Sequence, residues 1–291
     1  MRTPALRSIA RLSLPLAVLV AGAAAGAQEP RFTARVDIVR VDALVTRRGQ
    51  PVAGLTKDDF EVFDNGVPQH VDLVSFGQLP INAIMALDLS QSVAGQTLEH
   101  LRTAGHALLA ALKARDQAAL VGFSHAVTVE SALTPNLAAV GAALDRATPS
   151  GATSLADACF SSILLGESDQ GRALVLAFSD GVDTSSWLTT DDVLDTARRA
   201  DVVVYAFTPA ESPRTGLLDD LASTTGGSVA QIGSTKELSA QFVRVLAEFR
   251  QRYVMSYSPA GVPADGWHRL EVRVKPAGLK IQARPGYLAG H

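Results

Sequence analysis

The chain has 291 residues, 47% hydrophobic and 19% charged, enough for one large domain or for a medium domain with a small companion. Its 26 basic and 29 acidic side chains leave a net charge of -3, which excludes the broad positive field that nucleic acid or an anionic membrane would need. A single cysteine, Cys159, excludes an intrachain disulfide, so stability must come from burial.

Arg2, Arg7 and Arg11 precede an apolar run over 12–24, followed by the small residues Ala25 and Ala27. This pattern reads as a signal peptide over 1–27, cleaved after Ala27 to leave Gln28 first and to deliver the protein to the periplasm or the exterior. The run falls short of the roughly 20 apolar residues that a spanning helix needs, so no transmembrane span is expected in the mature chain.

A first β segment is expected over 28–79, with alternation along Val36-Asp37-Ile38-Val39-Arg40-Val41 and turn signals at Arg48-Gly49 and Asp64-Asn65-Gly66. Thr56 can start one helical turn before Glu61-Val62-Phe63 resumes the extended pattern. From 80 to 251 buried apolar strands alternate with amphipathic helices, the signature of a parallel α/β sheet. Strands are expected at 83–87, 118–123, 173–178 and 202–207, and an antiparallel edge strand at 126–133. Helices are expected at 97–113, 137–146, 154–165, 190–199, 216–224 and 235–251. Cys159, in Leu155-Ala156-Asp157-Ala158-Cys159-Phe160, suits a buried helix face. The last segment, 252–291, returns to β character at 253–258, 270–274 and 279–283. Neither β segment has enough strands to stand alone, so the two are expected to pair into a small sandwich-like domain. The fold class is therefore α/β: a doubly wound, mostly parallel, Rossmann-like sheet with a β-sandwich-like domain built from both chain ends.

The first long strand ends in Asp88-Leu89-Ser90-Gln91-Ser92, a carboxylate and two hydroxyls at alternate positions where strand passes into loop. Thr153 falls in the loop before a helix, and Asp180 directly follows a buried strand in Phe178-Ser179-Asp180-Gly181. All three pieces lie at carboxyl ends of strands or in the adjoining loops, the edge where open α/β sheets bind ligands.

Asp88-x-Ser90-x-Ser92, Thr153 and Asp180 resemble the metal-ion-dependent adhesion site of von Willebrand factor type A (vWA) domains, over roughly residues 80–250. The whole chain is similar to the secreted vWA-related proteins frequent in Acidobacteria, in which Gly54-Leu55-Thr56-Lys57-Asp58-Asp59-Phe60 and Arg284-Pro285-Gly286-Tyr287 match typical flanks. The resemblance implies that Ser90 and Ser92 ligate a divalent cation directly, that Thr153 does so directly or through water, and that Asp88 and Asp180 act largely through waters. Oxygen donors favour Mg²⁺, with Mn²⁺ or Ca²⁺ as alternatives. The implied partner is a protein that offers an Asp or Glu side chain to the ion. Alanine at these positions is expected to leave the sheet folded, because they sit on the loop edge outside the core.

Enzyme readings are weaker. Gly122-Phe123-Ser124-His125-Ala126 resembles a nucleophile elbow without its last glycine, and it runs on into a strand instead of a helix. The residue two beyond Asp88 is Ser90 where a phosphatase would place a second acid. No phosphate loop, His-Glu-x-x-His or paired Cys-x-x-Cys occurs, and the six histidines show no ligand spacing and read as mostly solvated. Asp183 reads as a solvated loop acid. The expectation is a binding protein and not an enzyme, with an envelope scaffold whose metal orders loops, or a hydrolase using Ser124 or the metal, as the alternatives.

Overall fold

Strands with near-continuous apolar runs need cover on both faces, and here helices supply it. The computed structural model describes residues 38–167, 171–213 and 216–290. The leader expected over 1–27, and residues 28–37 after it, lie outside the described residues.

The chain begins with β1 (Val39–Arg47), β2 (Gln50–Pro51), β3 (Phe60–Asp64), β4 (Val67–Gln69) and β5 (Leu73–Phe76). The α/β part runs through β6 (Ile81–Asp88), α1 (Gln96–Ala111), β7 (Gln117–Phe123), β8 (Val127–Thr134), α2 (Leu137–Arg146) and α3 (Leu155–Gly166). It continues with β9 (Arg172–Phe178), α4 (Thr190–Arg199), β10 (Val202–Pro209), α5 (Gly216–Thr225), β11 (Ser228–Ile232) and α6 (Leu238–Arg250). The end is β12 (Tyr253–Tyr257), β13 (Gly266–Val274), β14 (Lys280–Ala283) and β15 (Gly286–Ala289).

The six-stranded sheet has the order β11-β10-β9-β6-β7-β8, parallel except for the antiparallel edge strand β8. Along β6 the side chains alternate between two cores. Ala83, Met85 and Leu87 meet α1, α2 and α6, while Ile84 and Ala86 meet α3, α4 and α5. The sheet is therefore doubly wound. Cys159 is buried on α3 as its surroundings suggest, and burial, with Asp183 adding to it, pushes its thiol up to about 12.

Both chain ends contribute to two further sheets, ordered β14-β1-β12-β5, with β2 beside β1, and β15-β13-β3-β4. Between them lie Val41, Ala43, Phe60, Val62, Tyr253, Met255 and Leu270, the core of a sandwich. The β3–β4 hairpin turns at Asn65 and Gly66, whose φ values of 48° and 81° suit the residues found there. The sandwich joins the amino ends of the parallel strands. The fully buried Arg252 donates to the carbonyls of Asp42 and Gly226, Arg284 donates to those of Ala200 and Arg198, and Arg172 at the start of β9 pairs with Asp42. The carboxyl ends of β6 and β9 are left free of the sandwich.

Two strands go beyond the sequence expectation. Only Ile232 of β11 is buried, so this edge strand carries no apolar run, and β15 falls within the Arg284-Pro285-Gly286-Tyr287 segment. Among the described histidines His70, His106 and His125 are exposed as expected, and His268 is the exception. His268 is 1% exposed inside the sandwich, where Nδ1 lies 2.7 Å from Asp64 Oδ1, so it is not solvated.

Candidate metal centre

From β6 the chain winds to β7 and β8 on one side, then returns across β6 to β9 and winds outward on the other. Strand order reverses between β6 and β9, the switch point outside whose carboxyl ends open α/β sheets bind ligands. Leu87 stands opposite Phe178, and Asp88 opposite Phe123, so Asp88 is the last β6 residue and Ser179-Asp180 leaves β9 directly beside it.

Four of the five expected residues are joined by short bonds. The Asp88 carboxylate accepts the Ser90 backbone N–H at 2.8 Å through Oδ1 and the Ser179 hydroxyl at 2.7 Å through Oδ2. The Ser90 and Ser92 hydroxyls are 2.9 Å apart, and Ser92 donates to Asp180 Oδ1 at 2.7 Å. The fifth, Thr153, arrives on a loop held against the first: Ser150 N donates to the Leu89 carbonyl at 2.7 Å and Gln91 N to that of Gly151 at 3.1 Å. Gly151 has φ of 68°, and a β-carbon there would meet His125 Nδ1 at 2.5 Å, so glycine is needed on both counts. A β-carbon on Gly181 would lie 3.5 Å from Thr153 Oγ1, which puts that hydroxyl beside the residue after Asp180.

The donors are oxygens only. Among the described residues no group of three or more His, Cys, Asp or Glu side chains could hold an ion, so any cation here depends on hydroxyls. That set suits a hard cation and disfavours softer metals. Burial pushes the Asp88 carboxyl above its usual range, against hydrogen bonds from Ser90 and Ser179, and the nearby charge of Asp180 pushes the same way. A positive ion would offset both effects. The residues therefore fit a divalent ion, with the Ser90 and Ser92 hydroxyls and Thr153 Oγ1 to hold it and Asp88 and Asp180 to balance its charge.

Burial differs from expectation. Asp88, Ser90 and Thr153 are 0%, 3% and 6% exposed, so they belong to the sheet's buried end and not to a solvent edge, while Ser92 is exposed. Alanine at Asp88 would strand two donors in the interior. Asp183 is not a free acid either. Its carboxylate accepts Ala156 N at 2.7 Å, Ser186 N at 3.0 Å and Ser186 Oγ at 2.6 Å, stapling the loop after Asp180 to the start of α3. Thr184 and Ser185 extend that staple to the Thr153 carbonyl, at 2.9 and 3.2 Å. Ser179, which holds the Asp88 carboxylate, has no sequence signal beyond its place beside Asp180. Ser124 reaches His125 Nδ1 at 3.4 Å, and the chain passes from β7 into β8 with no helix between them.

Residues 83–183 match the family model of the von Willebrand factor type A domain. This region is a vWA domain. Among solved structures, a von Willebrand factor type A protein from Catenulispora acidiphila is similar at 12% identity and a TM-score of 0.54, covering 89% of this chain and 74% of that one. Proximal thread matrix protein 1 from the mussel byssus, with a zinc-occupied MIDAS motif, is similar at 15% identity and a TM-score of 0.55, covering 64% of this chain. The match spans about half, 49%, of that protein's length. At these identities the likeness is one of fold. No curated protein sequence matches the chain.

Proposed function

We propose that the vWA domain holds a divalent cation, Mg²⁺ before Mn²⁺ or Ca²⁺, at Asp88, Ser90, Ser92, Thr153 and Asp180. The exported protein then uses it to capture another protein through an Asp or Glu side chain. The observation that carries this reading is the set of contacts from Asp88 through Ser90 and Ser92 to Asp180, which gathers two carboxylates and two hydroxyls from separate loops at the switch point. The ion supplies a positive centre with exchangeable positions, and the chain's neutral hydroxyls leave it short of negative charge. Asp88 aligns the Ser90 backbone, Ser92 bridges to Asp180, and Ser179 fixes the Asp88 carboxylate. The mussel neighbour's zinc-occupied motif supports a metal at this place in the fold.

Periplasmic or extracellular location is part of the proposal, supported by the leader pattern of 1–27. Among the described residues no helix is long and apolar enough to cross a membrane.

Calorimetric titration of the purified protein with Mg²⁺ and Mn²⁺ tests the first half. Saturable binding that Asp88→Asn weakens is expected, and no binding to the folded protein would overturn it. Capture of envelope proteins with and without chelator tests the second. Chelator-sensitive capture is expected, and capture indifferent to chelator would favour a scaffold.

A further inference from the structure

Beyond Asp180 the loop carries an indole that the fold does not use. Trp187 is 94% exposed and Val182 49% exposed. The backbone that carries Trp187 is held by side-chain acceptors. The Asp157 carboxylate accepts Trp187 N at 3.0 Å and Leu188 N at 2.9 Å, and Asp183 anchors Ser186 and Ala156. Ser186 and Leu188, the residues on either side of Trp187, line an open cleft of about 440 Å³ together with Leu155, Val182, Asp183, Thr189 and Thr190. Val182 lies two residues from Asp180, and Thr184 N and Ser185 N donate to the Thr153 carbonyl, so the loop that carries Trp187 is tied to two residues of the candidate metal centre.

The charges narrow the choice of occupant. No Lys or Arg occurs between Asp180 and Asp195, and the two acids that shape the loop, Asp157 and Asp183, are occupied by backbone and hydroxyl donors. This segment thus offers a partner two exposed apolar side chains, Val182 and Trp187, and no cation of its own for a second acid. A rigidly held aromatic gives a large contact at little cost in conformational entropy, the property of interface anchors.

We infer that the partner is recognised at two points: a carboxylate at the metal and, within a few residues along an extended segment, an aliphatic or aromatic side chain seated against Val182 and Trp187. This deepens the metal-dependent reading above and rests on it. The indole is not needed to fold the loop, because the bonds that hold it are to main-chain N–H groups and to Ser186.

The experiment uses the full mature protein with Mn²⁺ and an array of short synthetic peptides, each with one central Asp or Glu and every other position varied. Wild type should retain peptides in a chelator-sensitive manner, with an aliphatic or aromatic residue enriched at a fixed offset from the acid. Trp187→Ala should abolish that enrichment and weaken the best peptides at least about tenfold, while Leu73→Ala, on the far β5 strand, should change neither. Metal titration of each variant is run alongside. Chelator-sensitive binding with no apolar preference, or a preference that survives Trp187→Ala, overturns the two-point contact and leaves metal-dependent capture standing. Loss of metal binding in Trp187→Ala overturns it too, since the indole would then be holding the loop. No chelator-sensitive peptide with wild type overturns both readings.

Discussion

The Ser92 hydroxyl donates to Asp180 across 2.7 Å, joining two loops 88 residues apart in sequence. Ser92 is exposed and its hydroxyl meets that of Ser90, while Ser179, the residue before Asp180, donates to the buried Asp88. Two substitutions separate metal binding from folding. Ser92→Ala removes an exposed hydroxyl, and Asp88→Asn keeps an acceptor for Ser90 N while cancelling the charge. Both should keep wild-type circular dichroism, and Asp88→Asn should weaken Mg²⁺ or Mn²⁺ binding about ten- to a hundredfold. Asp88→Ala, by contrast, should also lose about 1–3 kcal/mol of stability, because its two donors are left buried and unpaired. Unchanged metal affinity in folded Asp88→Asn would place the cation elsewhere.

Asp116 should make stability acid-sensitive. It is 2% exposed and accepts Ile81 N at 2.9 Å, Lys113 N at 2.7 Å and Arg250 at 2.7 Å, linking the start of β6 to α6. Burial opposes its ionisation, but Arg250 and the two backbone donors together hold the carboxyl below its ordinary range. A folded-state pKa below the unfolded one gives stability that is fully present above the unfolded value of about 3.9 and is lost as pH falls through the folded value. Denaturant unfolding at descending pH should show this loss below about pH 4 in wild type and a flatter profile in Asp116→Asn, which is less stable at neutral pH by about 3 kcal/mol.

What the sequence disclosed follows from how locally each feature is encoded. The strands of the parallel sheet are continuous apolar runs, and the helices at 137–146 and 190–199 end where their patterns end. Asp88, Ser90 and Ser92 sit within five residues, so their shared direction was readable from strand alternation. β11 was missed because an edge strand needs no apolar run. The burial of Asp88 and the service of Asp183 depend on partners from Ser179 and Ala156, which no local pattern announces. His268 finds its acid 204 residues away, and its neighbours in sequence look like an ordinary exposed strand.

Residues 253–291 should prove necessary for the first strand. β1 lies between β12 and β14, with Val41 opposite Met255 and Val45 opposite Ile281. Deleting that segment removes both neighbours and leaves Val41 and Val45 facing solvent. Hydrogen exchange should then show the β1 amides unprotected while β6 and β9 remain slow. Persistent protection across β1 would mean that it pairs otherwise in solution.

The centre of the sandwich offers a test of coupling. Asp64 is fully buried, and its Oδ2 accepts the Tyr257 hydroxyl at 2.8 Å and the Tyr287 hydroxyl at 2.9 Å, while Oδ1 faces His268. Burial first, then the bond to Asp64, drives both tyrosines above their usual range, so they stay protonated donors throughout the stable pH range. Removing either hydroxyl leaves Oδ2 with one donor and should cost about 1–2 kcal/mol. Removing both leaves that buried oxygen with no hydroxyl donor, which costs more than leaving it one. Tyr257→Phe with Tyr287→Phe should therefore destabilise by more than the sum of the single variants, with a coupling of about 1 kcal/mol or more. Urea unfolding of the four proteins in the cycle measures it. Additive losses would mean that the two hydroxyls act independently and that Asp64 is satisfied without them.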